Sequence, residues 1–555
     1  MKSRFTTLAA TALAALCAMA IATAEAAPKP GCAYEPIDLE RYGGAKFAAP
    51  DEVRSRNGML ALTLTIDYST QKIAGCETRL RTYNGKLVGP TLRVKPGDTM
   101  RIRLDNRLPP NPPRRGHDPN TPHDFNTTNL HTHGLWVSPL GNGDNVTLRI
   151  EPGTRFDYEI AIPADHPPGT FWYHAHVHGS TALQVSSGMA GLIIIEGGLD
   201  EARHIAGVTQ RLMVFQQISY NQQGVIENYD GFGPNTWGPS HRQTTINGQI
   251  VPTIGMKGGE VQRWRMVHGG VRETISPTIR RFEAAADYAD QEALYRALGA
   301  LTPEQVSALP RAIPLHEIAA DGLAFGRVDS WDVIELQPGY RSDVMVKAPA
   351  VARRTTYLLT DNALPGEEGL LGEPETERIL ARIVVEPGDA GDQLPTTRDV
   401  APYLAHQPID RLDGEPQSVV FNLANRQCDV TGKCSPRNCN PETDPNCSFR
   451  FMISDRTYST LYSRAPKLGT AAEWTLSSMA ANHPFHIHVN PFQVTRVGPD
   501  GRNQIVWKDT LFVRQGAAPV KVRTRYERYI GTFVIHCHIL DHEDQGMMEL
   551  VTIVN

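Results

Sequence analysis

The sequence lacks long apolar segments beyond its N-terminal end. After residue 26 no stretch is long and apolar enough to cross a bilayer, and the run from Leu192 to Ile195 has only the length of a buried strand. An excess of one charge is also missing, because 55 Lys and Arg residues stand against 60 Asp and Glu residues, a formal net charge of −5. We therefore expect no membrane anchor, and neither a nucleic acid nor an anionic membrane is favoured as a partner.

The first 26 residues have the pattern of a secretory signal peptide. Lys2 and Arg4 precede an apolar run from Leu8 to Ala22, and Ala24-Glu25-Ala26 has the small-x-small form of a cleavage site. We expect residues 1–26 to be removed and the protein to be exported, either to the periplasm or out of the cell.

Cysteine is scarce, with eight residues, and Cys17 lies in the signal segment. The seven that remain are an odd number, so at least one thiol of an exported protein is left over. A metal-bound thiolate cannot form a disulfide, and Cys537 is the candidate for that role. The other six could form up to three disulfides. Four of them lie between Cys428 and Cys447, where a small zinc site is the alternative, although the spacings contain no CxxC pair.

An internal repeat predicts the architecture. Residues 84–104 contain an Asn-Gly turn, a short strand, a Pro-Gly turn and an alternating strand, and residues 247–266 repeat that order. A degenerate third copy spans residues 456–476. Three copies predict an all-β chain of three β-sandwich domains, at residues 27–200, 201–390 and 391–555.

Domain two also carries a predicted helical insert within residues 272–312. Phe282 to Ala300 is rich in Ala, Leu and Glu, and Thr302 to Gln305 has the pattern of a helix start, with a cap, a first-turn proline and a capping-box glutamine. The insert either packs against its domain or covers the substrate side.

The stretch from His536 to Met547 carries the clearest chemical signal. Cys537 lies between His536 and His538, and His542 and Met547 follow at intervals of five residues. Cysteine, histidine and a weakly bound methionine are the ligands of blue-copper electron-transfer sites. Because side chains alternate along a strand, the two flanking histidines point away from the cysteine and could bind another metal on the opposite face.

Ten of the nineteen histidines lie in four short motifs. They are His131, His133, His174, His176, His483, His486, His488, His536, His538 and His542. Each His-x-His places two imidazoles on one face of a strand, so four such pairs offer eight imidazoles, enough for three metal ions. His483 is left over and completes the site of Cys537. Zinc is the alternative metal, but it rarely needs eight imidazoles beside a separate thiolate–methionine site.

In their order, these motifs resemble those of the three-domain multicopper oxidases, the laccase and cuprous-oxidase group. The resemblance extends over nearly the whole mature chain, including the repeat and the segment Gly188-Met189-Ala190-Gly191-Leu192. It implies cupredoxin-like Greek-key β-sandwich domains and four copper ions per chain. Its type 1 ligands would be His483, Cys537, His542 and axial Met547, with Met548 as the alternative axial ligand. The type 2 ligands would be His131 and His486. The type 3 ligands would be His133, His174, His176, His488, His536 and His538.

The resemblance also implies the reaction. A small aromatic or metal-ion donor would give single electrons to the type 1 copper, Cys537 would pass them on through its neighbouring histidines, and O2 would be reduced to water. The leading interpretation is a laccase-like oxidase of phenols and aromatic amines. The alternative is a periplasmic cuprous-ion oxidase for copper tolerance, which is less favoured because the thirteen methionines are dispersed. A methionine axial ligand predicts a low-to-moderate type 1 potential.

Reduction of O2 consumes protons, so acids are expected beside the cluster. Glu543 and Asp144 resemble the proton-relay acids of this family; a surface glutamate and a turn aspartate are the alternatives. His178 is expected outside the ligand set. Two other classes are disfavoured, because a copper nitrite reductase would lack the type 3 histidines and a non-enzymatic scaffold would have lost ligands. We expect a monomer.

Overall fold

The computed structural model describes residues 32, 39–114, 118–232, 236–237, 242–282, 291–370, 372, 374–444 and 446–555. The predicted signal peptide lies outside these residues. Within them, thirty strands form six sheets, and the helices are few and short. The prediction of an all-β fold is therefore confirmed. No helix among the described residues is long and apolar enough to cross a membrane.

The first sandwich consists of two sheets with the strand orders β1-β4-β9-β8-β6 and β3-β2-β5-β7. Its strands are β1 (Glu52–Arg54), β2 (Met59–Ile73), β3 (Cys76–Tyr83), β4 (Thr91–Val94), β5 (Thr99–Asn106), β6 (His131–His133), β7 (Arg155–Ala161), β8 (Gly169–His174) and β9 (Ala190–Ile195). Helices α1 (Leu39–Tyr42) and α2 (Thr181–Ser186) and a 3-10 turn (Gly198–Glu201) accompany them. Met100, Ile102 and Leu104 of β5 are buried between the sheets whereas Arg101 and Arg103 are exposed, as their alternation predicts.

The second sandwich has sheets of six and four strands, with the orders β11-β10-β13-β17-β15-β16 and β12-β19-β18-β14. Its strands are β10 (Thr209–Ser219), β11 (Arg242–Ile246), β12 (Thr253–Lys257), β13 (Val261–His268), β14 (Pro277–Phe282), β15 (Leu315–Ala320), β16 (Leu323–Trp331), β17 (Arg341–Lys347), β18 (Thr355–Asp361) and β19 (Arg378–Glu386). Both sheets contribute to one core, which includes Trp264 of β13 and Leu359 of β18.

The third sandwich has the orders β21-β20-β23-β28-β25-β26 and β22-β30-β29-β24-β27. Its strands are β20 (Gln417–Arg426), β21 (Ser448–Ile453), β22 (Tyr462–Arg464), β23 (Ala471–Ser478), β24 (His483–Ile487), β25 (Phe492–Val497), β26 (Asn503–Lys508), β27 (Thr510–Val513), β28 (Val520–Arg525), β29 (Gly531–Cys537) and β30 (Met548–Ile553). The short helix α5 (Thr397–Val400) and a 3-10 turn (Ala401–Tyr403) precede them, and α6 (Leu540–Asp544) links the last two strands. The domain bounds at residues 200 and 390 stay predictions.

The predicted insert contains two helices, α3 (Gln291–Gly299) and α4 (Pro303–Ser307). The start of the predicted stretch, residues 283–290, lies outside the described residues. Helix α4 begins with the predicted capping box, in which Thr302 and Gln305 exchange hydrogen bonds. Leu294 and Leu298 of α3 are buried in an apolar cluster, which supports the interpretation of the insert as a packing element.

Six cysteines form three disulfides, which are Cys32–Cys76, Cys428–Cys434 and Cys439–Cys447. The pairing of the last four within their own loop argues against a zinc site there. Cys537 is free, as predicted, and it is buried.

Candidate metal centre

Neighbouring strands bring the histidine motifs of the third sandwich together. In the antiparallel pair of β24 and β29, Phe485 lies opposite Cys537 and His486 lies opposite His536. Phe485 and Cys537 belong to the core of the sandwich. Because side chains alternate, His486 and His536 face the other side of the sheet. One strand pair thus presents a thiol on one face and imidazoles on the other.

On the core side, three donor atoms surround one point. Nδ1 of His483 lies 3.3 Å from Sγ of Cys537, and Nδ1 of His542 lies 3.9 Å from the same sulfur. The two nitrogen atoms are 3.4 Å apart, and all three residues are buried. The backbone N–H of Ile539 points at the sulfur from 3.4 Å. This triad can hold a single metal ion.

Burial keeps the three side chains of the triad uncharged when no metal ion is bound. Burial raises the pKa of the Cys537 thiol well above its usual value. It lowers the pKa of His483 to about 4 and that of His542 well below its usual value. At neutral pH the triad therefore contains a thiol and two neutral imidazoles. A bound metal ion would displace the thiol proton, and a thiolate with two imidazoles is a donor set that fits copper.

Met547 and Met548 lie on different sides of the chain. Met547 is fully buried in the same apolar core as Cys537, and its carbonyl oxygen accepts a hydrogen bond from the Cys537 N–H at 3.1 Å. Met548 packs with Val534 and Leu550 in a separate cluster. This placement favours Met547 as a fourth donor, which stays a prediction.

A second group of histidines lies where the first and third sandwiches meet. Strands β6 and β8 place His131 opposite His174. The ring of His131 stacks on that of His488 from the third sandwich, and the ring of His133 stacks on that of His486, each pair with centroids 3.8 Å apart. Histidines that are more than 300 residues apart in the sequence thus surround one buried space.

The eight imidazoles fall into sets that can each hold a metal ion. Ligand atoms within 4.8 Å of one another form the groups His133, His174 and His538; His176, His488 and His536; and His131, His486 and His488. Since His488 occurs in two groups, the eight residues divide into two sets of three and the pair His131 and His486.

Nitrogen atoms in this space are buried without a hydrogen-bond partner among the described residues. They include Nε2 of His131, His133, His174, His486 and His538. Burial lowers the pKa of every one of these histidines, which keeps them neutral. An unpaired buried polar atom costs about 1–3 kcal/mol. Neutral imidazoles whose lone pairs share one space fit metal ions, and this donor set suits copper.

Asp144 is buried behind His131. Its carboxylate oxygens lie 3.1 and 3.0 Å from Nδ1 of His131, and Oδ1 accepts a hydrogen bond from the N–H of Thr132 at 2.7 Å. Burial raises the pKa of Asp144 to about 7. In the tautomer with its proton on Nδ1, His131 would donate a hydrogen bond to this carboxylate, and Nε2 would be free to bind a metal. Asp144 therefore orients the imidazole.

Glu543 is also fully buried, rather than a surface residue. Its oxygens lie 3.4 Å from Nδ1 of His176 and 3.2 Å from Nδ1 of His536, and Oγ1 of Thr181 donates to Oε1 at 3.2 Å. Burial, followed by the neighbouring carboxylate of Asp544, raises the pKa of Glu543 well above its usual value. The protonated form of Glu543 is therefore favoured beside two histidines of the cluster.

His178 lies outside the metal-ligand groups found among the described residues. Its Nε2 is 3.1 Å from Oδ1 of Asn120, and its ring packs on Tyr458 with centroids 4.0 Å apart. Burial lowers the pKa of His178 to about 3. These contacts make it a structural neighbour of the cluster.

Sequence reasoning missed the contribution of the second sandwich and its partner Asp509. Nη1 and Nη2 of Arg341, on β17, donate to Asp509 at 2.7 and 2.5 Å, and both side chains are buried. Nη1 of Arg341 also lies 3.2 Å from Nδ1 of His133, and the Asp509 carbonyl oxygen lies 2.9 Å from Nδ1 of His486. The only signal was a single acid between two strands, which by itself indicates no site.

Aromatic rings connect the triad to the surface. The rings of His542 and Phe451 have centroids 4.7 Å apart, and Phe449 packs edge-on against Phe451 at 5.4 Å. Phe449 is 55% exposed, whereas His483 is fully buried with its Nε2 2.8 Å from the Ala480 carbonyl oxygen. The row of rings therefore leads from solvent to His542.

Two family models match this chain, and both are described as multicopper oxidase. They match residues 120–199 and residues 441–555. The first segment contains the two histidine pairs of the first sandwich, and the second contains the triad and the remaining pairs.

Proteins described as multicopper oxidases and laccases are similar to this chain over most of its length. The multicopper oxidase mco of Staphylococcus aureus is 22% identical over 511 residues, which are 90% of this chain and 89% of the relative. A laccase of Bacillus stratosphericus is 22% identical over 515 residues, 86% of this chain and 91% of the relative. The solved structure of a Campylobacter jejuni multicopper oxidase, described as a metallo-oxidase, has a TM-score of 0.67 at 20% identity and covers 92% of this chain and 95% of its own. At that identity the structural match shows the fold.

Proposed function

Since this chain belongs to the multicopper oxidases, we propose that it acts as a laccase on phenols and aromatic amines. Membership in the family makes it a copper-dependent oxidoreductase with O2 as electron acceptor. The identity of the donor is the proposal. The row of rings from exposed Phe449 through Phe451 to His542 is the observation that carries it.

We assign four copper ions to the histidine clusters. His483, Cys537, His542 and Met547 would hold the type 1 copper. His131 and His486 would hold the type 2 copper. One copper of the type 3 pair would be held by His133, His174 and His538, and the other by His176, His488 and His536. When bound, these ions would supply one-electron transfer from the donor and the four-electron reduction of O2 to water.

The chain itself connects the two metal regions. Cys537 is the last residue of β29 and belongs to the triad, and the peptide bonds on either side of it lead to His536 and His538, which belong to the cluster. A covalent path therefore runs from the sulfur to two imidazoles of the cluster without a through-space gap. This arrangement supports Cys537 as the residue through which electrons leave the triad.

Two buried acids supply protons in this proposal. Glu543 can hold a proton at its carboxyl between Nδ1 of His176 and Nδ1 of His536. Asp144 can hold one at its carboxyl beside Nδ1 of His131. A proton held at either carboxyl would lie next to the histidines that we assign to the reduction of O2.

The exposed ring of Phe449 favours an aromatic donor. Aromatic pairs prefer offset-stacked or edge-to-face contacts and gain about 0.5–1.5 kcal/mol beyond the area that they bury. A phenol stacked on Phe449 would extend a row of rings whose last member is an imidazole of the triad. The donor needs no coordination to metal in this arrangement, which suits a broad range of phenols.

One observation favours cuprous-ion oxidation as a second candidate. Met479 is 67% exposed, and the next residue, Ala480, has its carbonyl oxygen 2.8 Å from Nε2 of His483. Thioethers are suitable ligands for Cu(I). A cuprous ion bound by Met479 would therefore lie near the other imidazole of the triad.

Steady-state O2 uptake tests the proposal. The copper-loaded protein is given 2,6-dimethoxyphenol or Cu(I) as rival donors, after its copper content and blue absorption have been measured. We expect about four coppers per chain, a blue band and faster O2 uptake with the phenol. O2 uptake with Cu(I) alone would support the second candidate, and a colourless protein without bound copper would contradict an oxidase.

We also propose that the enzyme works outside the cytoplasm as a monomer. The predicted signal segment and three disulfides support export, because disulfides persist in oxidising compartments. Cell fractionation and light scattering of the purified protein test these two statements.

A further inference from the structure

A buried ion pair joins the second sandwich to the helix that carries His542. Arg272 lies in the loop between β13 and β14, and Asp541 lies in α6. Nε of Arg272 donates to Oδ1 of Asp541 at 2.6 Å, and Nη2 donates to Oδ2 at 2.5 Å. The two side chains are 4% and 0% exposed. Two opposite charges are therefore fixed in the interior, one of them on the residue next to His542.

The backbone holds this pair in place. The N–H of Leu540 donates to the carbonyl oxygen of Val271 at 3.4 Å, and both side chains are buried in one apolar cluster. A bidentate guanidinium–carboxylate pair also has a defined geometry, unlike a single contact. Arg272 therefore keeps one position relative to α6 and to the cysteine that precedes it.

Both charges act on the triad. Asp541 directly precedes His542 in α6, and its carboxylate holds the guanidinium of Arg272 by two hydrogen bonds. Arg272 therefore also lies beside the segment that carries Cys537 and His542. The two members of the pair have opposite charges and thus act on a metal ion at the triad in opposite directions. A buried charge is screened less than one in water, so the field of each member extends to the triad.

We propose that the Arg272–Asp541 ion pair sets the reduction potential of the type 1 copper, with Arg272 raising it and Asp541 lowering it. A nearby positive charge favours the cuprous ion, because adding one electron to the cupric ion removes one unit of positive charge from the site. A nearby carboxylate favours the cupric ion for the same reason. The inference rests on the proposed function, since it requires copper at the triad. Both residues act through the copper ligands and are positioning residues.

Redox titration of the blue absorption tests the proposal on the copper-loaded, full-length protein. Arg272→Met should lower the potential, because it leaves the Asp541 carboxylate unbalanced, and Asp541→Asn should raise it. We expect each shift to correspond to at least about a tenfold change in the one-electron equilibrium constant, which is about 59 mV. Arg272→Lys retains the charge and should stay close to the wild-type potential.

Two further variants separate charge from packing. Removing one member of a buried pair is strongly destabilising, whereas replacing both members by apolar residues is often tolerated. The double variant Arg272→Met/Asp541→Leu should therefore return the potential towards that of the wild type. Arg280→Met is the matched control, because Arg280 pairs with Glu377 at 2.8 Å in the same sandwich and is 5% exposed. It should leave the potential unchanged.

The outcomes distinguish this inference from the proposed function. Wild-type protein that binds copper without blue absorption would overturn the type 1 assignment before any variant is compared. If the wild type is blue but Arg272→Met and Asp541→Asn leave its potential unchanged, the role of the ion pair is refuted. Shifts of both variants in the same direction would also refute it, since repacking rather than charge would then be the cause.

Discussion

Gly339 lies directly against the imidazole of His538. A Cβ atom at this position would be 2.9 Å from Cδ2 and 3.0 Å from Nε2 of His538, and 3.1 Å from Nε2 of His133. Its φ of 90° lies in the left-handed region, which favours glycine. Because Gly339 belongs to the loop before β17, the second sandwich closes the space between the histidines although it supplies none of the eight imidazoles.

The substitution Gly339→Ala is expected to displace the imidazoles of His133 and His538. The added methyl group would be too close to both rings, so that the two histidines could no longer share one metal ion. Copper analysis and near-ultraviolet absorption should then show loss of the type 3 pair, and O2 uptake should fall, while the blue absorption of the triad remains.

Gly391→Ala is the matched control for this variant. Gly391 also has a positive φ, of 71°, but a Cβ there would meet no atom within 4 Å. It reports the cost of backbone strain alone. A Gly339→Ala protein that keeps four coppers and wild-type O2 uptake would show that the second sandwich does not define the cluster.

Asp144→Asn is expected to slow turnover at neutral pH while copper loading stays intact. The amide can still accept the N–H of Thr132, but it cannot hold or release a proton beside His131. Replacing a carboxylate that contacts a metal ligand typically lowers activity about 10- to 100-fold. The measurement is kcat for O2 uptake together with copper content. Asp157→Asn, at an exposed carboxylate paired with Arg103, is the control; equal kinetics of both variants would remove the role of Asp144.

Phe449→Ser is expected to raise the KM for phenols several-fold with little change in blue absorption. The ring of Phe449 is 55% exposed, so its removal should cost little stability, but it takes away the outer member of the row of rings. An aromatic contact of about 0.5–1.5 kcal/mol corresponds to a roughly 2- to 13-fold change in affinity. Hexacyanoferrate, an inorganic donor without rings, should be oxidised at the wild-type rate.

Val497→Ser is the control for this surface change, because Val497 is 61% exposed on β25, which is separated from the β21 strand of Phe449 by three strands of the same sheet. An unchanged KM for phenols in Phe449→Ser, or an equal loss with hexacyanoferrate, would contradict Phe449 as the contact for an aromatic donor.

The local signals of the sequence could be used to predict much of the site. Each His-x-His pair lies on or at the end of one strand, and strand alternation alone places both imidazoles on one face. The separation of Cys537 from His536 and His538 follows from the same alternation. The sandwich architecture could be predicted from turn and strand repeats, which are also local patterns.

The contributions of Arg341, Gly339 and Arg272 could not be predicted in this way. Each is a single residue of the second sandwich, and none belongs to a motif. Their contacts with Asp509, His538 and Asp541 depend on how whole sandwiches pack against one another. Such long-range packing leaves no periodic trace in the sequence. The role of α3 likewise became visible only from the apolar cluster that it joins.

Asp361 predicts how stability depends on pH. It is 5% exposed, and Oδ1 accepts the N–H of Ser276 at 2.7 Å. Burial raises the pKa of Asp361 to about 7, whereas an aspartate in an unfolded chain has a pKa of about 3.9. Between these values the folded protein holds a proton that the unfolded chain has released. The contribution of Asp361 to the free energy of unfolding is therefore fully present below about pH 4 and is lost as the pH rises through about 7.

Asp361→Asn is expected to weaken this pH dependence, because the amide keeps the hydrogen bond with Ser276 and cannot ionise. Urea unfolding midpoints of wild type and variant, measured at about pH 5 and pH 8, should differ less in the variant. Glu375, whose pKa is raised to about 8 by burial and then by the charge of Asp361, still ionises in this range, so some dependence remains. Asp410→Asn, at an exposed position, is the control. If the urea midpoint of Asp361→Asn fell between pH 5 and pH 8 as much as that of the wild type, Asp361 would not be the group that ionises.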